Sequence, residues 1–524
     1  MPLPPSPPTV KSMMLPAPIG GINAVGLLAM GEPTDSIFQY NLIPSAYGTA
    51  VRQGYVPWAT TVGTGTVGTV MPYTGSNTAA NKLFAAATNG IFDITVQGVS
   101  NPAASVTFPS QDANSGVGQS VAFTTTAAHY LVYTDETNGY YLYTEGSGWS
   151  KIAFGTGVGQ VSGVDPANFA MPAVYMSRLW FVVRGSSQAV YLGIGSVFGP
   201  ATIFDFSNKF KHGGTLVALY TWTFDGGDGV NDYLVAISSA GDVVLYQGGD
   251  PTTAGAFSLV GNWYIGAPPA GRRIAGTFGG DLYLLSAYGI IPLTRLISGM
   301  VVQNEVVAVT EKITPLINQL MSTAFNLPGW EMTLISSQNL LLLATPKITG
   351  LSYLQYVQYL PSKGWANYRD LPYFTGCDWN GTFLFADGTT NVNLHTGSTD
   401  NGVNINWSML THFTDAEEPG RYHRVHFVRP VFLSNIPPAY AASAKYDYDL
   451  TENLTTPIST TPGGTVWDVG VWDTALWAGG TIASAVVTGG AGMGRAMAIA
   501  INGNSKSPTT LLRFDVMYDT GGLL

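Results

Sequence analysis

The chain of 524 residues is 46% hydrophobic and 12% aromatic but only 10% charged, with a formal net charge of −10 and 63 glycines. Ordinary soluble domains carry about 25% charged residues and about 7% glycine. Exposed coiled coils, charge-driven disorder and collagen are excluded, because each needs dense charge or a strict glycine period. No Lys/Arg cluster of the kind that grips a nucleic-acid backbone is present, and tight DNA or RNA binding is not expected.

In chain order, MPLPPSPPTVKSMMLPAPIGG comes first. Proline fixes φ and withholds an amide donor, so residues 1–20 read as an extended arm, loose or laid on another surface. The segment lacks the charged start and continuous apolar run of a signal peptide. Runs such as NLLLLA at 339–344 fall far short of the roughly 20 residues that span a bilayer. The expectation is a protein without stable membrane insertion.

From about 60 to 400 one local pattern recurs: an apolar strand, a polar turn with glycine, and a second apolar or aromatic strand. It is seen in KLFAAATNGIFDIT (82–95), YLVYTDETNGYYLYT (130–144), RLWFVVRGSSQAVYLG (178–193) and DYLVAISSAGDVVLYQG (232–248). DLYLLSAYGIIPL (281–293), NLLLLATPKITGLSYLQYV from 339 and CDWNGTFLFADGTTNVNLHTG (377–397) complete the series. Gly and Asn supply positive φ at turns, and β-branched and aromatic residues suit half-buried strands. The anchors Leu83, Leu131, Trp180, Leu234, Leu282, Leu341 and Phe383 are spaced by 42–59 residues, near the size of a four-stranded propeller blade. Radial closure also protects strand edges that so few charges cannot guard. The expected fold is all-β: a β-propeller of six or seven blades over 60–400. A stack of unrelated β-sandwich units is the alternative. Ile313, Leu316, Ile317 and Leu320 recur at helix spacing, predicting one short helix in 313–325 before the sixth blade.

Near 401 the character changes. RYHRVHFVRPVFL (421–433) and the closing stretch read as strands of a β-sandwich-like domain over 401–524, one that packs on or completes the propeller. Residues 1–59 are assigned to the arm and first strands. Trp467, Trp472 and Trp477 recur every five residues, which suits neither a strand nor a helix face; core packing is preferred over a binding edge.

Chemistry is sparse. Cys377 is alone, so it forms no internal disulfide, and it reads as a small buried hydrophobe. The six histidines make no HExxH or ordinary zinc spacing, and on a strand His423 and His426 face opposite sides. Asp225, Asp228 and Asp232 in FDGGDGVND offer oxygen ligands spaced for calcium, without the bidentate glutamate of an EF-hand; a local turn is the preferred reading. Asp93, Asp242 and Asp281 read as acceptors for backbone amides. Asp415, Glu417 and Glu418 are dense enough for a carboxylate pair, but a hydrophilic loop accounts for them. There is no GxSxG elbow and no phosphate loop. No enzyme activity and no cofactor are expected.

PAPIGGINAVG (16–26) and IFQYNLIPSAYGTAVRQGYVPWA (37–59) resemble the start of the nozzle or hub proteins of short-tailed bacteriophages, a structural or stabilisation-type virion family. The likeness rests on Gly20, Gly21, Ile22 and Asn23; Asn41 and Pro44; and Arg52, Gly54 and Tyr55. KLFAAATNGIFDIT, GGDLYLLSAYGIIPL (279–293) and FDVMYDTGG (514–522) extend it loosely along the chain. The resemblance implies a propeller body used as one wedge of a ring, most simply a hexamer, in the tail of the virion. It also implies adaptor proteins above, needle or fibre proteins below, and transient passage of double-stranded DNA. The matching residues are then strand, turn and interface determinants, and the resemblance assigns no catalyst. The rival readings are a carbohydrate-binding receptor-recognition propeller and a propeller glycoside hydrolase.

Overall fold

The computed structural model describes residues 10–26, 28, 31–225, 230–253, 255–298, 308–458, 482–484 and 488–521. The first four and the sixth expected hairpins prove to be the middle of larger antiparallel units, with one further strand before and one after each. The first unit is Val67–Tyr73, Lys82–Ala87, Gly90–Asp93 and Ala104–Thr107; the second is Gly118–Thr124, His129–Asp135, Gly139–Thr144 and Gly148–Lys151. The third is Phe169–Tyr175, Arg178–Val183, Gln188–Tyr191 and Thr202–Asp205; the fourth is Leu216–Asp225, Val230–Ser238, Asp242–Gly248 and Phe257–Tyr264. The fifth has, among the described residues, the strands Ala275–Phe278, Asp281–Ser286 and Gly289–Pro292, and leads to the helices Leu293–Ile297 and Thr314–Ala324. The second helix lies within the range expected from its apolar spacing and buries Ile317, Met321 and Ala324.

The sixth unit is Glu331–Ile335, Leu340–Ala344, Leu354–Tyr359 and Gly364–Arg369. In the seventh, Thr375–Trp379, Thr382–Ala386 and Val392–His395 are completed by Tyr55–Thr60, which precedes the first unit in sequence. The chain thus closes its ring by hydrogen-bonding an early strand to the last unit. Consecutive units touch through their opening strands, except that the fourth meets the second strand of the fifth, and the seventh touches the first. The fold is almost wholly β and propeller-like.

The apolar cores lie between neighbouring units, which is where flat sheets arranged around an axis must bury their faces. Met71, Phe84 and Tyr141 pack the first against the second; Tyr140, Phe169 and Phe181 the second against the third. Trp180, Leu234, Leu284 and Leu341 belong to one core running from the third to the sixth. Leu83 and Leu384 join the seventh to the first. Each such side chain contributes about 1.5–3 kcal/mol of burial. The turn chemistry is equally local. Asn380 and Gly381, at φ 47° and 78°, make a two-residue turn between Trp379 and Thr382, the positive-φ pair whose twist matches a hairpin.

The other body is a sandwich assembled from both ends of the chain. One sheet orders Asp35–Tyr40, Val403–Thr411, Met497–Ser505 and Ala439–Tyr446. The facing sheet is built on His423–Ser434 and Thr509–Thr520, with Val10–Pro16 and Thr49–Val51 both paired to the latter strand. Trp407, Met409, Val428, Phe432, Ile499 and Phe514 fill the space between. Of the expected arm, Val10–Pro16 is therefore an ordinary strand along the chain's own last strand, and residues 1–9 lie outside the described residues. Residues 1–59 divide between the two bodies, since Tyr55–Thr60 serves the ring and the strands before it serve the sandwich. The two bodies share sheets: Gly21–Ile22 pairs with both Trp365 of the sixth unit and Asp35–Ser36 of the sandwich.

Candidate functional site

Two places gather polar side chains that the apolar pattern cannot explain: the axis of the ring and its junction with the sandwich. Along the axis, cavities of about 600 and 800 Å³ both touch Gly118, Gln119, Arg273 and Glu331. Arg273 stands between them. Its Nη1 is 3.0 Å from Glu331 Oε2, and its Nη2 donates to Gly68 O (2.8 Å), Thr69 Oγ1 (2.9 Å) and Gly118 O (2.8 Å). One guanidinium preceding the fifth unit therefore ties the sixth, first and second. Glu331 is buried and also accepts from Tyr373 Oη (3.0 Å) and the Gly376 amide (3.2 Å). Beside it, Arg272 donates from Nε to Glu136 Oε1 (2.5 Å) and from Nη1 to Val217 O (2.5 Å). Arg184 Nε lies 3.9 Å from Glu136 Oε2.

Chemically this axis is a set of charge-assisted bonds. Among the described residues, neither cavity lining contains a histidine. Cys377 lines the smaller cavity, and burial pushes its thiol far above the ordinary range, so it is protonated and a poor nucleophile. Sequence reading missed all five charged axial residues, Glu136, Arg184, Arg272, Arg273 and Glu331. The one available signal was that Arg272 and Arg273 are the only adjacent basic pair in the chain.

The junction, in contrast, gathers the residues that carry the family resemblance. Asn41 sits in left-handed backbone, φ 58°, which Asn tolerates better than most residues. Its Nδ2 donates to Arg369 O (3.0 Å) and Asn406 O (2.7 Å), while its Oδ1 accepts from the Arg369 amide (2.8 Å) and Arg52 Nε (2.9 Å). The amide side chain thus reaches its full bonding capacity. Arg52, 1% exposed, grips Asp400 with both terminal nitrogens at 2.8 and 2.6 Å. Gly54 presses so closely on Thr399 that a Cβ would stand 2.0 Å from its carbonyl oxygen; at Gly21 a Cβ would stand 2.4 Å from the Trp365 backbone. Gly20 lies against Asp35, whose carboxylate takes Asn23 Nδ2 (2.7 Å) and Lys312 Nζ (2.7 Å). Pro44 ends a short sandwich strand, and Tyr55 opens the ring-closing one.

His395, paired with Tyr55, lies in the same region. Burial, and then the nearby Arg52 charge, pull its imidazole down to about 3, so it is neutral in the fold. The unfolded chain takes up that proton as pH falls below about 6.5, so it binds more protons than the native state and stability declines with acid. Between about pH 6 and 3 this one group should remove up to about 1.4 kcal/mol per pH unit. His395→Phe, packed among Tyr368, Phe383 and Phe385, should flatten the urea-denaturation pH profile by that slope. An unchanged slope would refute the assignment.

The remaining candidates stay apart. Asp232 accepts a hydrogen bond from Thr223 Oγ1 across the hairpin (2.7 Å), Asp225 pairs in register with Val230, and Asp228 lies outside the described residues. Among the described residues no group of three metal-binding side chains converges. Asp93, Asp242 and Asp281 accept the amides of Thr95, His212 and Thr294. Asp415 caps its own loop through the Glu417 amide, and Glu418 pairs with Lys11, which holds its carboxyl below the usual range. His423 is buried against Tyr518 and kept neutral by that burial, whereas His426 bonds Asp519 at 2.6 Å. Trp467, Trp472 and Trp477 lie outside the described residues.

No family model and no curated protein sequence matches the chain. Among solved structures, YCF48 bound to D1 peptide is similar over 71% of this chain and 99% of its own, at 10% identity and a TM-score of 0.35. The β-propeller domain of Cps50 (Swd1) from Myceliophteria thermophila is similar over 66% of this chain and 98% of its own, at 10% identity and a TM-score of 0.33.

Proposed function

We propose that this chain is a structural protein of a bacteriophage virion: a seven-bladed β-propeller fused to a β-sandwich, repeated in a sixfold tail nozzle or hub ring. The observation that carries the reading is the convergence of the resemblance residues. Gly21 and Asn41 bond or pack against backbone of both bodies, and beside them Arg52 holds Asn41 and Asp400 while Gly54 packs on Thr399. A wedge that transmits force between neighbours needs its two bodies joined rigidly, and a buried, fully satisfied polar network supplies that stiffness. Its role is architectural, with no enzymatic step and no cofactor.

The conduit for DNA lies between copies, because within one copy Arg273 crosses the axis. An excess of acidic residues, −10 overall, repels phosphates and lets a duplex slide instead of stick. Adaptor proteins dock on one rim of the ring and needle or fibre proteins on the other, without membrane insertion. Native mass spectrometry and negative-stain imaging of the purified full-length chain should give six-copy rings with an open bore. A chain that stays monomeric at tens of micromolar overturns the reading.

A further inference from the structure

The chain has 22 Lys and Arg among 524 residues, yet four of them, Arg184, Arg272, Arg273 and Lys347, line the larger axial cavity. Among the described residues, only Glu136 and Glu331 oppose them there. Glu331 is already occupied by Arg273, Tyr373 and Gly376, and Glu136 by Arg272. The lining is therefore positive inside a protein that is negative overall.

The two remaining cations are held by weaker partners. Arg184 gives Nη2 to the carbonyls of Asp135 (3.2 Å) and Ala167 (3.4 Å), with Glu136 at the outer limit of an ion pair. Lys347 donates to Leu351 O and sits 4.2 Å over the Tyr353 ring. A carbonyl or a ring face orients a cation without neutralising it.

We propose that this cavity is a docking site for an acidic peptide segment of a partner protein, whose carboxylates bind Arg184 and Lys347. The occupant follows from shape as well as charge. About 800 Å³ falls within the size of pockets that engulf a short ligand. Leu327, Pro346 and Phe374 give its wall an apolar part that side chains of an extended peptide can cover. A DNA duplex spreads its charges along a rod and is held by extended basic surfaces, which a recessed cavity does not offer. The site stands independently of the virion reading, since any assembly with an acidic tail or loop could use it.

The test is calorimetric titration of the full-length protein with an acetylated hexaglutamate amide at low ionic strength. One peptide per chain should bind, and the affinity should fall as salt screens the pairs. Lys347→Gln, at an exposed position, should weaken binding about threefold, and Arg184→Gln with Lys347→Gln at least tenfold, each step costing roughly what an exposed or half-buried charge pair contributes. Lys151→Gln, remote on the second unit, should change nothing. Circular dichroism checks that each variant is folded. Absence of binding, or equal affinity in the Lys347→Gln variant and the parent chain, overturns the proposal. So does a thymidylate hexamer that binds this cavity more tightly than the peptide.

Discussion

Replacing Arg273 by methionine will lower the unfolding free energy by about 3–5 kcal/mol, the cost of stranding a buried partner. Glu331 has a side chain 6% exposed and would be left with only Tyr373 and Gly376 beside it. Three acceptors, Gly68 O, Thr69 Oγ1 and Gly118 O, would lose the same donor. Methionine fills most of the volume, so the loss reports bonding more than a cavity. Adding Glu331→Gln removes the orphaned charge while keeping an oxygen for Tyr373 and Gly376. The double variant should be less destabilised than the sum of the single ones by 1 kcal/mol or more, the signature of directly coupled partners. If Arg273→Met unfolds within about 1 kcal/mol of the parent chain, water satisfies the axis and the arginine is not its clasp.

How much of this was legible in the sequence follows from which contacts are local. The seven hairpins were visible because turn and strands lie within about fifteen residues of one another, and pairs such as Asn380-Gly381 announce the turn directly. The strand that precedes the hairpin in the first six units was not. Val67–Tyr73 and Gly118–Thr124 carry glycine, proline or polar residues where an apolar strand would alternate, since they line an axis that tolerates polar side chains. The ring closure was hidden for a different reason. Tyr55–Thr60 pairs with Val392–His395, more than 300 residues away, and no periodicity records a partner at that distance. The same holds for Val10–Pro16 on Thr509–Thr520, within a proline-rich stretch that suggested an arm; the strand itself holds a single proline, Pro16, at its end, and a missing amide at a sheet edge costs little. The polar sites divide likewise. Asn41 and Arg52 were flagged by resemblance, but their partners Asp400 and Arg369 were not, because an ion pair leaves no spacing rule in a linear chain.

Arg52→Met should have the second large effect, and one of a different kind. Arg52 is the residue through which the sandwich, the sixth unit and the ring-closing edge meet. It holds Asp400 bidentately, supports the Asn41 amide, donates to Gln53 O (2.9 Å) and stacks 5.7 Å from the Tyr368 ring centre. Asn41 in turn fixes the backbone of Arg369 and Asn406. Methionine leaves Asp400 without its cation and Asn41 with an unused acceptor, a cost of about 3–5 kcal/mol. The loss falls on the coupling between two bodies, each of which retains its own core. Calorimetry should therefore show one cooperative transition in the parent chain and two in the variant. The lower transition should coincide with exposure of Trp407 in the sandwich core, read by fluorescence. Arg52→Lys keeps the charge but cannot make the forked contact, so it should lie between the two. A single transition with an unmoved midpoint in Arg52→Met would mean that the shared sheet at Gly21–Ile22 joins the bodies unaided, and that the polar network contributes only local order.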